Sequence, residues 1–207
     1  MGKLTLTTFV TLDGVMQAPG GPDEDRSGGF EHGGWMVPFA DDDFGQFITE
    51  VFGRPAAFLL GRRTYDIFAG YWPKVTDEND PVAGKLNGLP KYVVSSTLKD
   101  PRWQHTTVID GDLVTEVTRL KERTRGGEIQ IHGSGRLAQS LMAHGLIDEY
   151  NLLVHPVVLG AGFRLLPEGG LPTAFELTAA RTTSTGVAIN TYRPTGRPDH
   201  GTFALDE

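Results

Sequence analysis

A chain of 207 residues with a formal net charge of −7 and no cysteine is long enough for one large domain with a sizeable core. The absence of thiols excludes cysteine nucleophiles, disulfides and thiolate-bound zinc, and suits a reducing, cytoplasmic setting. The acidic balance and the lack of any basic stripe interleaved with aromatics argue against a nucleic-acid partner; no apolar stretch approaches membrane-spanning length and no targeting segment is visible.

Residues 4–12 alternate as a strand, and Asp13-Gly14 make the turn that leaves it, where Asp13 is expected to order the backbone. Residues 19–34 are rich in Pro, Gly and Asp; because periodic segments resume on both sides, they read as an active-site loop of a single domain, not a linker. Trp35 follows, suited either to packing over a substrate or to anchoring the loop. Asp41-Asp42-Asp43 then open a helix to Phe52, a run that complements a helix dipole and supplies a cap.

Residues 56–60 are a short apolar run typical of a buried strand, and Gly61-Arg62-Arg63-Thr64-Tyr65 follow directly, with a short helix over 65–69. Thr64 can cap that helix, while the guanidinium forks of Arg62 and Arg63 match phosphate oxygens; a plain surface arginine pair is the alternative. Residues 91–95 form another strand, ending in Ser95 and Ser96. Asp112 opens a helix with Leu113, Val117 and Leu120 on one face, closed by Gly126-Gly127.

The next segment carries the most information. An apolar strand over 129–132 runs into Gly133-Ser134-Gly135-Arg136-Leu137 and leaves as an amphipathic helix that turns Leu137, Leu141 and Met142 inward. Two glycines let the backbone approach an anion, the helix start presents unpaired N–H groups, and Arg136 adds full charge. A tight strand-to-helix turn with no ligand would use the same residues. A strand over 149–154 follows, then an apolar segment 155–166 and an antiparallel hairpin of 175–182 and 187–192 around Thr183-Ser184-Thr185-Gly186. The pattern is α/β, a mostly parallel sheet flanked by helices and closed by that hairpin; residues 1–195 form one domain and 196–207 a polar tail prone to fraying. His132 and His155 have no ligand spacing with one another or with a carboxylate, so no metal is assigned.

The order of Leu12-Asp13-Gly14, Trp35 to Pro38, Gly61 to Tyr65, Val94-Ser95-Ser96 and Gly133 to Arg136 resembles the dihydrofolate reductase fold. More narrowly, Leu146-Ile147-Asp148-Glu149-Tyr150 followed by His155-Pro156-Val157-Val158-Leu159-Gly160-Ala161-Gly162 resembles the reductase domain of the bifunctional riboflavin-biosynthesis enzyme and its stand-alone relatives. The resemblance covers the chain from Leu4 to about Pro194. It implies bound NADPH, with Gly133, Ser134, Gly135, Arg136 and Leu137 at the pyrophosphate, Gly61 to Thr64 along the other side, and Ser95, Ser96 and Arg62 or Arg63 around the adenosine 2′-phosphate. No Rossmann G-x-G-x-x-G with a following acidic residue is present.

By the same resemblance Asp41 is the substrate-binding carboxylate that assists protonation, Trp35 lies against the substrate, and the reaction is NADPH-dependent reduction of a pterin-like or amino-pyrimidine heterocycle or related carbonyl. Relatives of this type pair through their sheets, which with the apolar segment 155–166 implies a homodimer. The 19–34 loop departs from the folate enzymes, and no deaminase half is present because the chain lacks cysteine and an H-x-E motif. A serine hydrolase fits poorly, since His132 and Arg136 stand where a nucleophile elbow needs glycine. A nucleotide-binding module without turnover would carry the same phosphate turns.

Overall fold

Thirteen regular segments alternate along the computed structural model, which describes residues 1–77 and 79–203. They are β1 (Lys3–Thr11), α1 (Asp42–Phe52), β2 (Pro55–Gly61), α2 (Arg62–Tyr71), α3 (Pro81–Gly88), β3 (Lys91–Val94), β4 (Thr106–Ile109), α4 (Leu113–Arg123), β5 (Glu128–His132), α5 (Gly135–Met142), β6 (Glu149–His155), β7 (Ala174–Thr182) and β8 (Ala188–Gly196). The strands form one eight-stranded sheet in the order β4-β3-β2-β5-β1-β6-β8-β7. All neighbours from β4 to β6 are parallel, and β8 and β7 complete the sheet antiparallel. Among the described residues no helix is long and apolar enough to cross a membrane.

The period-2 alternation of the strands sorts side chains between two layers. Leu4, Leu6, Leu59, Ile129 and Ile131 point to the face covered by α4 and α5, where Val117, Leu120, Leu137 and Leu141 meet them. Phe58, Leu60 and Val93 point to the other face, against Phe47, Val51 and Phe52 of α1 and Leu86 of α3. That second face also carries polar groups on the central strands. Gln130 Nε2 donates to Val51 O (2.8 Å) and to Glu128 Oε2 (3.1 Å), and Asn151 Nδ2 donates to Thr7 Oγ1 (3.1 Å), whereas the buried His155 Nε2 has no hydrogen-bond partner.

Two elements, α3 and β4, lie where the sequence showed no clear period. The α3 sequence PVAGKLNG is short and holds two glycines, and it forms because Asp80 accepts N–H bonds from Val82 and Ala83, Pro81 suits the first helical position, and Ala83 and Leu86 are buried. Its last carbonyls are served by the buried ammonium of Lys91, which donates to Leu86 O (2.6 Å) and Leu89 O (2.9 Å) and lies 4.5 Å from the Trp103 ring. β4 is a four-residue edge strand with polar flanks. α2 starts at Arg62, immediately after β2, so Gly61 is its N-cap and Thr64, expected as the cap, sits inside the first turn.

The apolar segment after β6 is a loop, not a strand extension. Asp13 holds it: its carboxylate accepts Leu159 N–H (3.2 Å) and Gly160 N–H (2.9 Å), and Arg164 Nη2 lies 3.4 Å from the same group. A hydrogen bond from the Thr11 hydroxyl (2.6 Å) and these amides hold the Asp13 carboxyl down at about 2, against the opposing effect of burial. Strand β7 closes the sheet with most of its side chains exposed, Phe175 and Leu177 among them. Of the polar tail, residues 204–207 lie outside the described residues; 197–203 carry no strand or helix.

Candidate functional site

β2 and β5 are neighbours, so their C-terminal ends bring two glycine turns together. β2 passes into α2 at Gly61 with no intervening loop, and β5 passes into α5 through Gly133 (φ 57°) and Ser134, which is itself left-handed (φ 51°, ψ 44°). The turns are interlocked. Gly61 N–H donates to Ser134 Oγ (3.1 Å), and Ser134 N–H donates to Thr64 Oγ1 (3.2 Å). Gly135 packs closely against its surroundings: a Cβ there would lie 2.5 Å from the Phe163 ring and 2.6 Å from the Met16 sulfur, so both side chains would have to shift.

The first intrahelical bond of α5 runs from Ala138 N–H to Ser134 O (2.9 Å), and no side chain caps the helix. The amides of Gly135, Arg136 and Leu137 therefore stand free of intrahelical acceptors at the positive end of the helix. Arg136 is exposed beside them, its guanidinium 5.9 Å from the centre of the Phe163 ring. Free amides, helix dipole and guanidinium together suit a phosphate dianion.

These turns form one end of a cleft of about 750 Å³ that lies over the C-terminal ends of β1, β2 and β5, where ligands of parallel α/β sheets bind. One side is the long loop. Gln17 shapes it, donating from Nε2 to Asp25 O (3.1 Å) and Ser27 O (2.9 Å) while Oε1 accepts Phe163 N–H (2.9 Å). Arg63 turns toward the loop, with Nη1 2.6 Å from Asp25 Oδ2 and 2.9 Å from Ser27 Oγ, and so ties it across to α2. Arg62 turns the other way: Nε pairs with Asp66 (2.8 Å) and Nη1 lies 3.4 Å from Thr97 Oγ1.

Two adjacent carboxyls of the loop, Glu24 and Asp25, line the cleft and differ in environment. Burial pushes the Glu24 carboxyl up, against an N–H bond from Gly20 (2.6 Å). Burial acts on Asp25 in the same sense, but bonds from Ser27 and the Arg63 guanidinium outweigh it and hold the carboxyl below its ordinary value. Two adjacent carboxyls are thus shifted in opposite directions.

His132 sits on the cleft floor, stacked on Phe52 with 4.5 Å between ring centres. Because both hydrogens of the Gln130 amide are engaged by Val51 O and Glu128, its oxygen faces His132 Nε2 (3.0 Å), which is assigned the proton. Burial pushes this imidazole down to about 3, so it is neutral near pH 7.

The expected site residues fall into two groups. Gly61, Arg62, Arg63, Thr64, Gly133, Ser134, Gly135, Arg136 and Leu137 all line the cleft. Ser95 and Ser96 do not: the Ser95 hydroxyl folds the turn after β3 by accepting from Leu98 N–H (3.1 Å) and Thr97 N–H (3.3 Å), and Ser96 is exposed beside that turn, which Arg62 reaches through Thr97.

Trp35 is buried under the loop, donates to Gln17 O (2.7 Å) and meets His155 edge-on, which is the loop-anchor geometry and not contact with the cleft. Asp41 also stands outside the lining. It caps α1 by accepting Phe44 N–H (2.8 Å), and its other oxygen accepts Thr185 N–H, Thr185 Oγ1–H and Ser184 Oγ–H (each 2.9 Å). Those bonds, the Phe44 amide first, hold the carboxyl far below the usual range, so it carries no proton to give near neutral pH.

Reading the sequence did not single out Glu24 and Asp25, although they are adjacent acids within a loop recognised as belonging to an active site. It also passed over the apolar wall, to which α1 contributes Phe44, Ile48 and Phe52 at helical spacing, α2 Phe68, and α3 Val82 and Leu86.

The family model of the RibD C-terminal domain matches residues 2–189. The chain is 29% identical to the uncharacterized protein YyaP of Bacillus subtilis (strain 168) over 196 residues, 94% of this chain and 96% of that one. It superposes on a putative riboflavin biosynthesis protein of Shewanella sp. PV-4 with a TM-score of 0.70 at 19% identity, covering 93% of this chain and 99% of the other. A Thermotoga maritima protein named as a diaminohydroxyphosphoribosylaminopyrimidine deaminase/5-amino-6-(5-phosphoribosylamino)uracil reductase superposes with a TM-score of 0.59 at 15% identity, over 93% of this chain and 56% of that chain.

Proposed function

The chain belongs to the RibD C-terminal domain family, and we propose that it is a reductase that uses NADPH to reduce a small planar acceptor related in shape to a pyrimidine or pterin. The observation that carries this reading is the interlocked pair of turns, whose free α5 amides, Arg136 and glycine backbone make a dianion seat at one end of the cleft. The residues present fit the cofactor: Gly135, Arg136 and Leu137 would hold its pyrophosphate, and Arg62 with the 95–97 turn would hold the adenosine 2′-phosphate. Bound there, NADPH would supply the hydride.

The chain's own residues supply the rest. Glu24, kept protonated to higher pH by burial, is positioned in the cleft wall as the proton-holding group. Asp25 and Arg63 tie the loop to α2 beside the cleft. His132 stays neutral and adds no charge beside the acceptor. Asp41, proposed from family resemblance as the proton-assisting carboxylate, is reassigned to anchoring α1 on the β7–β8 turn.

The test is direct titration of the protein with NADPH and NADH, followed by NADPH oxidation across a panel of pyrimidine, pterin, quinone and carbonyl acceptors. NADPH is expected to bind more tightly than NADH and to be oxidised with at least one acceptor. Equal affinity for the two, or binding without turnover on any acceptor, refutes the reading.

A further inference from the structure

The two ends of the cleft differ in chemistry. Arg62, Arg63 and Arg136 line it at the interlocked turns and their flanks, and Arg62 and Arg63 are paired there with Asp66 and Asp25. The opposite wall comes from α1, α2, the turn that follows α2, and α3. Its side chains are Phe44, Ile48, Phe68, Trp72, Val82 and Leu86. All but Leu86 are partly exposed. None of these six side chains can carry charge, and His132, which stacks on the neighbouring Phe52, is neutral near pH 7. The cations nearest in sequence, Lys74 after Trp72 and Lys85 before Leu86, stand exposed outside the lining, and Asp66, which does line the cleft, is paired with Arg62. A phosphate here would lose its hydration and find no compensating cation, which is costly. Three of the six wall side chains are aromatic, a surface suited to a flat ring system.

We infer that the acceptor side of the cleft takes an uncharged, flat, largely apolar molecule and rejects a phosphorylated one. This deepens the reductase reading and rests on it, since the dianion seat is then filled by the cofactor and is closed to the acceptor. The phosphoribosyl-bearing pyrimidine named for the Thermotoga maritima protein is accordingly not the expected acceptor of this chain.

The test uses 1-naphthol and 1-naphthyl phosphate, which share a ring system and differ by the dianion, titrated calorimetrically into the full-length protein saturated with NADP⁺. 1-Naphthol is expected to bind at least about tenfold more tightly than the phosphate. Ile48→Lys and Val82→Lys, each placing a cation on the wall from a different helix, are expected to narrow or invert that ratio. An equal or reversed preference in the unaltered protein, no binding of 1-naphthol, or no effect of either lysine in a folded variant overturns the inference. Failure of NADP⁺ to bind would instead refute the reductase reading. The naphthol comparison, repeated in an Arg62→Ala, Arg136→Ala variant that lacks the seat's charge, then judges the wall by itself, with the same preference expected and its absence again overturning the inference.

Discussion

Lowering the pH from 7.5 to 5 should destabilise this protein through its buried histidines. His132 is 8% exposed and burial lowers it from an ordinary 6.5 to about 3 in the folded state. Between those values the unfolded chain binds a proton that the folded chain does not, so stability is fully present above pH 6.5 and falls as the pH drops toward 3. At pH 5 the unfolded imidazole is almost wholly protonated and the folded one almost wholly neutral, which removes about 2 kcal/mol, 1.4 kcal/mol per unit over 1.5 units. His155, fully buried among Phe9, Trp35, Phe39 and Phe44, is lowered by burial as well and acts in the same direction. Against a typical total of about 5–15 kcal/mol this is a large share. Urea unfolding followed by tryptophan fluorescence at pH 7.5, 6 and 5 measures it, and His132→Gln, which keeps a polar group facing Gln130, should flatten the dependence by the His132 portion. A midpoint that does not move between pH 7.5 and 5, or an unchanged slope in a folded His132→Gln variant, would refute the reasoning.

Three more outcomes follow from the geometry. Arg62→Ala should weaken NADPH by roughly tenfold or more and leave NADH unchanged, because a charged hydrogen bond is worth about 1.5–3 kcal/mol, whereas Arg63→Ala should release the loop without changing that ratio; titrations with both nucleotides decide it. Glu24→Gln should slow reduction roughly 10²–10⁴-fold and remove the fall in rate with rising pH that deprotonation of Glu24 causes, while Asp41→Asn should lower the melting temperature with no selective loss of turnover; the reverse pattern would return the proton to Asp41. We further propose pairing of two chains along the exposed edge strand β7: light scattering should give about twice the 22.5 kDa of one chain, and Leu177→Glu should return it to one. A single-chain mass across the micromolar range would dismiss the dimer.

What the amino-acid sequence determined by itself is the local part. Alternation of Leu4 and Leu6, or of Ile129 and Ile131, encodes strands whichever neighbours they meet, and Gly133 encodes a turn because the backbone there takes a positive φ. The glycine turn after β5 and the hairpin at 183–186 were legible for that reason. The roles of the polar residues were not, because a side chain that can cap, pair or donate a proton is assigned by the partner it meets.

Asp41 meets Thr185 across 144 positions and becomes a structural anchor; Arg63 meets Asp25 across 38 and becomes a loop tie instead of a free phosphate ligand. Trp35 finds a carbonyl under the loop and is buried there, and Glu24 becomes protonatable because the packed loop removes water from it. Short-range sterics fixed the turns along the chain, whereas desolvation and long-range pairing, which exist only once the sheet brings distant segments together, decided which carboxyl is shifted up and which down and which wall of the cleft stays apolar.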